Sequence, residues 1–255
     1  MEYNKRPRII PCLLLQNGGL VKTTKFKNPR YLGDPRNVVK IFNDKEADEL
    51  LLLDICATIE GRGPNYELIS EIASECFMPL GYGGGVTSVE QVQKLISTGL
   101  EKVVINTAAV KDSKLITESS EVIGSQSVVV SIDIRKRRFS KGYEVCSHSG
   151  KKRTGLDPLA FAKKMEKAGA GELFINFIDR DGMMQGYDCS YISEISNAVG
   201  IPVVVCGGAG GVIDLASAIE AGASAASAGS MFVFQGKLKA VLISFPSSQD
   251  LSLIK

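Results

Sequence analysis

Short apolar, β-rich runs recur along the chain, and each is followed by a stretch with helical character. The runs fall at residues 8–15, 49–55, 77–82, 102–106, 126–134, 171–178, 201–206 and 224–229. Between them lie amphipathic stretches such as DPRNVVKIFNDKEA, NYELISEIASEC, SVEQVQKLISTG, DPLAFAKKMEKAG and DLASAIEAG. Eight such alternations predict an α/β fold, a parallel (β/α)8 barrel filling residues 1–255 as one domain. An open doubly wound sheet is the alternative. It usually carries GxGxxG after its first strand, and none is present.

An internal repeat strengthens the barrel. ISEIASECFMPLGYGGG begins at Ile69, and ISEISNAVGIPVVVCGGAG begins at Ile192, 123 residues later. The same offset joins Pro79 to Pro202, Gly85 to Gly208 and Asn106 to Gly229. The halves read as copies of one half-barrel, with no linker between them. Two connections exceed ordinary turn length, residues 16–33 and 135–155, and the second is a candidate hairpin. Both are expected at the C-terminal rim, where barrel active sites lie and where long loops act as lids or stay disordered.

Composition narrows the function. Lys+Arg 30 against Asp+Glu 28 leaves a net charge of +2, which implies no broad basic surface and no nucleic-acid partner. No apolar run reaches membrane-spanning length, and MEYNKRPR has no signal-peptide core, so a cytoplasmic protein is expected. The six cysteines form no CxxC pair and suit a reduced compartment. His148 is the only histidine, which excludes a histidine-based metal site and a Ser-His-Asp triad; no metal or cofactor is expected.

The glycine-rich turns Gly83-Gly84-Gly85 and Gly207-Gly208-Ala209-Gly210 each follow a strand and precede a helix. They suit anion binding through backbone N–H groups, or are simply tight turns. Asn106-Thr107 and Gly229-Ser230 end the next strands and predict two anion sites on opposite sides of one mouth. Asp181-Gly182 could help bind the second anion. Lys22 could meet a phosphate or lie in solvent. Asp54 suits a structural cap. Asp133 ends an otherwise apolar run, where a carboxylate is either bonded to loop amides or used for proton transfer. The corresponding run RIIPCLLL carries Leu14 in its place, which suggests that a two-carboxylate reaction is gone or changed. Arg8, Glu49, Lys102 and Glu172 begin strands and so converge on the N-terminal face. From the residues alone this is first a stabilising polar rim.

The stretches RIIPCL, GDP, DELLLLDI, GGG, EKVVINTAAV, GSQSVVVSID, SGKKRTG, IDRDG, GYD and GGAG together resemble the cyclase subunit of imidazole glycerol phosphate synthase over nearly the whole chain. The resemblance implies a glutaminase partner on the N-terminal barrel face and ammonia entering there. Arg8, Glu49, Lys102 and Glu172 match its four gate positions. Gly85, Asn106 and Thr107 match one phosphate site, and Asp181, Gly182, Gly208, Gly229 and Ser230 match the other. Lys22 matches the lysine of a mobile loop. The family's substrate is a phosphorylated small molecule, a two-phosphate ribonucleotide. Of its two acid–base aspartates, Asp133 matches the second and Leu14 replaces the first. Glu101 replaces a usual aspartate beside the gate lysine.

The run PCLLLQNGGLVKTTKFKNPRYLGDP is similar to a paralogue branch associated with glycosyl amidation in bacterial surface-polysaccharide synthesis. That branch acts with a glutaminase-like subunit and a separate sugar-amidating enzyme, converting an acetamido sugar to an acetamidino sugar. Three readings stay open: an ammonia-conducting subunit of that kind, a working cyclase of histidine biosynthesis, and a non-catalytic assembly scaffold. A phosphosugar isomerase is a weaker fourth.

Overall fold

A computed structural model describes residues 6–236 and 238–254. Eight parallel strands form the barrel: β1 (Arg8–Gln16), β2 (Leu50–Asp54), β3 (Leu80–Gly83), β4 (Lys102–Ile105), β5 (Val128–Lys136), β6 (Glu172–Phe177), β7 (Val203–Cys206) and β8 (Ala225–Ala228). Each pairs with the next in the chain. The β8–β1 ladder closes the ring. All eight expected strands are present, with ends shifted by at most a few residues. The expected helices form too, and Lys114–Ile123 and Cys189–Ser196 complete the outer layer. No described helix is long and apolar enough to cross a membrane.

Alternate residues of a strand face opposite sides, so these buried strands read as nearly continuous apolar runs. Their outward residues, such as Ile9, Leu13, Leu52, Val103 and Val130, join Phe42, Ile72 and Phe161 in the layer beneath the helices. Their inward residues form a separate, smaller cluster that includes Ile10, Leu14, Leu51, Val104, Val129, Phe174 and Val204.

The duplication reaches the helix caps. Asp34 and Asp157 are 123 residues apart, and each is followed by proline at the first helical position. Each carboxylate accepts from a first-turn N–H at 2.9 Å, from Arg36 and Ala160 respectively. Proline has no N–H to leave unpaired there.

Strand register then agrees with the match of Leu14 to Asp133 drawn from their two runs. Leu14 sits opposite Leu53, and Asp133 sits opposite Asn176. Leu53 and Asn176 are separated by the repeat offset of 123, whereas Leu14 and Asp133 are 119 apart. Leu14 and Asp133 are therefore structural twins. The additional residues of the second half fall between β5 and β6.

The first long connection is not an open lid. Gly19–Thr24 and Lys27–Gly33 form a β-hairpin whose first strand pairs with β1, Gln16 opposite Gly19. The two residues between them, Asn17 and Gly18, both have positive φ (51° and 78°). An Asn-Gly pair favours this two-residue turn because both residues tolerate the left-handed region. In the second connection, Tyr143–Ser147 folds back on the end of β5 and Lys152–Arg153 adds to it, as the candidate hairpin anticipated.

Replacing either capping aspartate, Asp34→Ala or Asp157→Ala, is expected to lower stability by about 1 kcal/mol. Urea unfolding of the two variants measures it, and similar losses are expected because the additional Asp34–Arg36 ion pair is exposed and contributes little.

Candidate functional site

The base of the barrel is closed by four charges. Lys102 Nζ lies 2.9 Å from Glu49 Oε1 and 3.0 Å from Glu172 Oε1. Arg8 bonds the same two carboxylates, Glu172 Oε2 at 2.5 Å and Glu49 through its other nitrogen. Cations and anions alternate, and each carboxylate is shared by two cations. Both glutamates are buried, while Arg8 reaches solvent. Burial pulls the Arg8 pKa down, but Glu172 and Glu49 outweigh it and hold the group above its ordinary value. Glu101 lies exposed beside this ring. Two residues further along each strand the inward positions become apolar: Ile10, Leu51, Val104 and Phe174. A layer of packed apolar side chains thus separates the ring from the mouth.

The mouth opens into a cleft of about 1200 Å³. Its floor is divided. On the side of the first half lie Leu14, Leu53 and Ile55; on the other lie Ser131, Asp133, Asn176 and Asp181. Leu14 is 9 % exposed and Asp133 7 %. Burial, reinforced by the nearby Asp181 charge, raises the Asp133 pKa from 3.8 to about 7, with Ser131 and Arg135 opposing. Asp133 therefore exchanges its proton near neutrality, as a general acid or base requires. The buried Asn176 Oδ1 has no hydrogen-bond partner among the described residues.

The first candidate anion turn faces this cleft. Gly83, Gly84, Gly85, Asn106 and Thr107 all line it. Asn106 Nδ2 donates to the Ser131 carbonyl at 2.9 Å, and Thr107 Oγ1 accepts from the His148 N–H at 3.0 Å. These glycines also serve packing. A Cβ on Gly84, at φ +137°, would stand 2.7 Å from the Asp54 carbonyl oxygen. Asp54 is a structural cap, accepting from the Cys56 and Ala57 N–H groups at 3.0 Å and from both terminal nitrogens of Arg62.

The second candidate site is covered. Asp181 and Gly229 reach the cleft, whereas Gly182, Gly208 and Ser230 do not line it. Lys22, expected at a phosphate or in solvent, is buried. Its Nζ meets Asp181 Oδ1 at 2.5 Å, and its Cε lies 2.8 Å from where a Gly229 Cβ would stand. Thr23 Oγ1 and the Phe26 N–H donate to Asp181 Oδ2, and the Lys25 N–H donates to the Asp181 carbonyl. Lys25 and Phe26 form the hairpin tip with φ of 53° and 61°. That conformation is uncommon for a bulky residue and is held here by Asp181. The Ser230 hydroxyl beneath has no partner among the described residues.

Residues that sequence reasoning passed over are Ser131, Asn176 and Arg62. Asn176 had a signal, being a polar residue inside an apolar strand and in phase with Glu172.

Fold and site define a twofold-repeated (β/α)8 barrel with a polar cleft at the carboxyl ends of its strands and a closed ring of charge at the other end. The chain belongs to the histidine biosynthesis protein family, whose model matches residues 8–239. It is a barrel of the kind found as the cyclase subunit of imidazole glycerol phosphate synthase. It is 52 % identical over 249 residues to a Pseudomonas aeruginosa protein provisionally named subunit hisF2 of that synthase, covering 97 % of this chain and 99 % of the relative. A Leptospira interrogans relative, provisionally named subunit HisF, is 49 % identical over 96 % of this chain and 97 % of its own length. A Vibrio vulnificus relative, provisionally named hisF3, is 48 % identical over 96 % and 95 %.

The raised Asp133 pKa carries a stability consequence. Its folded pKa exceeds the unfolded one, so the native state keeps a proton that the unfolded chain releases. Stability therefore falls as pH rises from about 4 to about 7. Asp133→Asn removes that dependence. The variant is expected to gain up to about 4 kcal/mol over the parent at pH 8 relative to pH 4. Denaturant titrations at both pH values decide it; equal differences would show that Asp133 ionises normally.

Proposed function

We propose that the chain is an ammonia-receiving and ammonia-conducting barrel subunit that works with a glutaminase partner. The observation that carries this reading is the position of Leu14. It is the register twin of Asp133, so one member of a proton-transferring pair is apolar, while the basal ring is complete and the interior above it is apolar. Leucine neither donates nor accepts a proton. A floor with a carboxylate at position 133 and none at its twin position 14 suits delivery of a nucleophile better than an acid–base ring closure.

In this reading the glutaminase docks on the basal face, and Arg8, Glu49, Lys102 and Glu172 gate the entry. The apolar interior discriminates by charge. Neutral ammonia crosses apolar walls readily, whereas ammonium would have to shed its hydration without replacement. Gly85, Asn106 and Thr107 form one phosphate cradle. Asp181, Gly182, Gly208, Gly229 and Ser230 form a second, which Lys22 and its hairpin cover or uncover. The acceptor is an acetamido sugar of a surface polysaccharide, converted to an acetamidino sugar by a separate amidating enzyme. Support for that assignment comes from the similarity of the run through Leu14 and Gly33 to the amidation-associated branch. The names hisF2 and hisF3 carried by two relatives also suit additional, specialised copies of such a subunit.

A working cyclase is the second reading, favoured by an Asp133 that titrates near neutrality. The test supplies purified chain with the two-phosphate ribonucleotide and ammonium salt. Turnover is expected to be negligible, and Leu14→Asp to raise it by roughly 10²–10⁴-fold. Rapid formation of imidazole product by the unaltered chain would overturn the assignment.

A second test concerns the ring. Glu172→Gln leaves Arg8 and Lys102 sharing one carboxylate, with an expected stability loss of about 1–3 kcal/mol, moderated by the exposure of Arg8. Glutamine-driven amidation should fall while amidation driven by added ammonium salt persists. An equal effect on both would return the ring to a purely structural role.

A further inference from the structure

The near-zero net charge conceals a strong segregation. Residues 22–31 and 135–153, which contain the facing parts of the two rim hairpins, hold 12 of the 30 lysines and arginines but only 1 of the 28 acidic residues. These two segments carry +11 and the remaining sequence carries −9. That one acidic residue, Glu144, is paired with Arg153. Lys25, Lys27, Arg138, Lys141, Lys151 and Lys152 are all exposed.

The two hairpins form one surface. A Cβ placed on Gly150 would meet the Phe26 ring at 3.0 Å, so the tip of the first hairpin rests on the base of the second. Arg135 fixes that base by donating to the Gly150 carbonyl. Neighbouring carboxylates neutralise only part of the patch: Asp181 pairs with the buried Lys22 and Asp179 with Arg135, Asp157, Asp188 and Glu194 lie beside Arg137 and Lys141, and Asp54 and Glu60 are engaged with Arg62. Two large aromatic side chains project from it. Phe139, at the tip of the second hairpin, is 98 % exposed, and Tyr31 on the first is 66 % exposed. Aromatic anchors within a field of one sign are the ingredients of a protein-docking surface.

We propose that an acidic partner protein docks across the C-terminal mouth on these two hairpins, with Phe139 and Tyr31 as its anchors. Identifying that partner as the ammonia acceptor rests on the function proposed above. The mouth supplies the reason for a protein. Ammonia leaving a cleft of about 1200 Å³ that is open to water would be protonated before it reacted. Only a solid body can plug a concave opening with an apolar wall. A bilayer would touch the hairpin tips and leave the hollow wet, and a nucleic-acid strand would bind the rim and leave it open.

The test places p-benzoylphenylalanine at position 139, at position 31, and at Phe77 as a control on the opposite barrel face, in the cell that makes the protein. Light is expected to join positions 139 and 31, but not 77, to the same acidic protein. That protein, purified, is then titrated with the full chain and with Arg138→Glu/Lys141→Glu. Neither of these side chains makes a hydrogen bond or ion pair among the described residues, so folding should persist. The double reversal is expected to weaken binding at least about 10-fold, and added salt to weaken it further. Unchanged affinity overturns the proposal. So does reversal-sensitive binding to phosphatidylglycerol vesicles or duplex DNA with no protein captured. Capture of a reversal-sensitive acidic partner that accepts no ammonia would support the docking surface and refute the amidation reading instead.

Discussion

Barrel closure is the constraint on which the rest of the structure depends. Once β5 meets β6 and β8 meets β1, the barrel itself has no free edge, and every second side chain of its strands is confined to a narrow interior. The inward positions of each strand then occupy fixed depths. The shallowest at the base are Arg8, Glu49, Lys102 and Glu172, and because the strands start together these four meet in a ring. The next layer is apolar because nothing there could pair a charge. Ser227, buried beside Ile10, donates to its carbonyl, and the cleft-lining polar groups Ser131, Asp133 and Asn176 follow towards the strand ends. A stratified interior of charge, grease and polar groups thus follows from one geometric fact and the period of a strand.

Duplication gives this interior a twofold plan, and the departures from that plan carry the functional meaning. The caps at Asp34 and Asp157 and the glutamates Glu49 and Glu172 repeat faithfully. The mouth does not: Leu14 and Leu53 face Asp133 and Asn176 across it. An apolar half beside a polar half changes the electrostatics of the remaining carboxylate. With no second acidic group at position 14, the Asp133 pKa is set by burial and by Asp181. Asp181 in turn anchors the hairpin through Lys22, Thr23 and Phe26.

The two faces of the barrel address different surroundings. The base is compact, and its charges neutralise one another. The rim is extended on hairpins whose cations outnumber their carboxylate partners: Lys22, Arg135 and Arg153 are paired, while Lys25, Lys27, Arg138, Lys141, Lys151 and Lys152 are exposed. Mutual repulsion among so many like charges is tolerable only because they are spread over exposed strands in water, where screening is strong.

Much of this was legible in the sequence. Alternating apolar runs and amphipathic stretches gave eight strands and the barrel, since burial on both faces leaves a direct mark on composition. The 123-residue repeat gave the twofold plan and paired the glycine turns, and charges at strand starts foretold the ring. The Asn17-Gly18 turn signal was passed over, because loop length alone pointed to a lid. What only the tertiary structure decided are relations between residues distant in sequence. The match of Leu14 with Asp133 was already drawn from their two runs; register adds that they stand opposite Leu53 and Asn176, which keep the 123-residue offset. Lys22 found Asp181 rather than solvent because the hairpin folds across the mouth. The divided floor and the charged rim likewise arise from side chains that meet only when the sheet closes, and no local pattern encodes such a meeting.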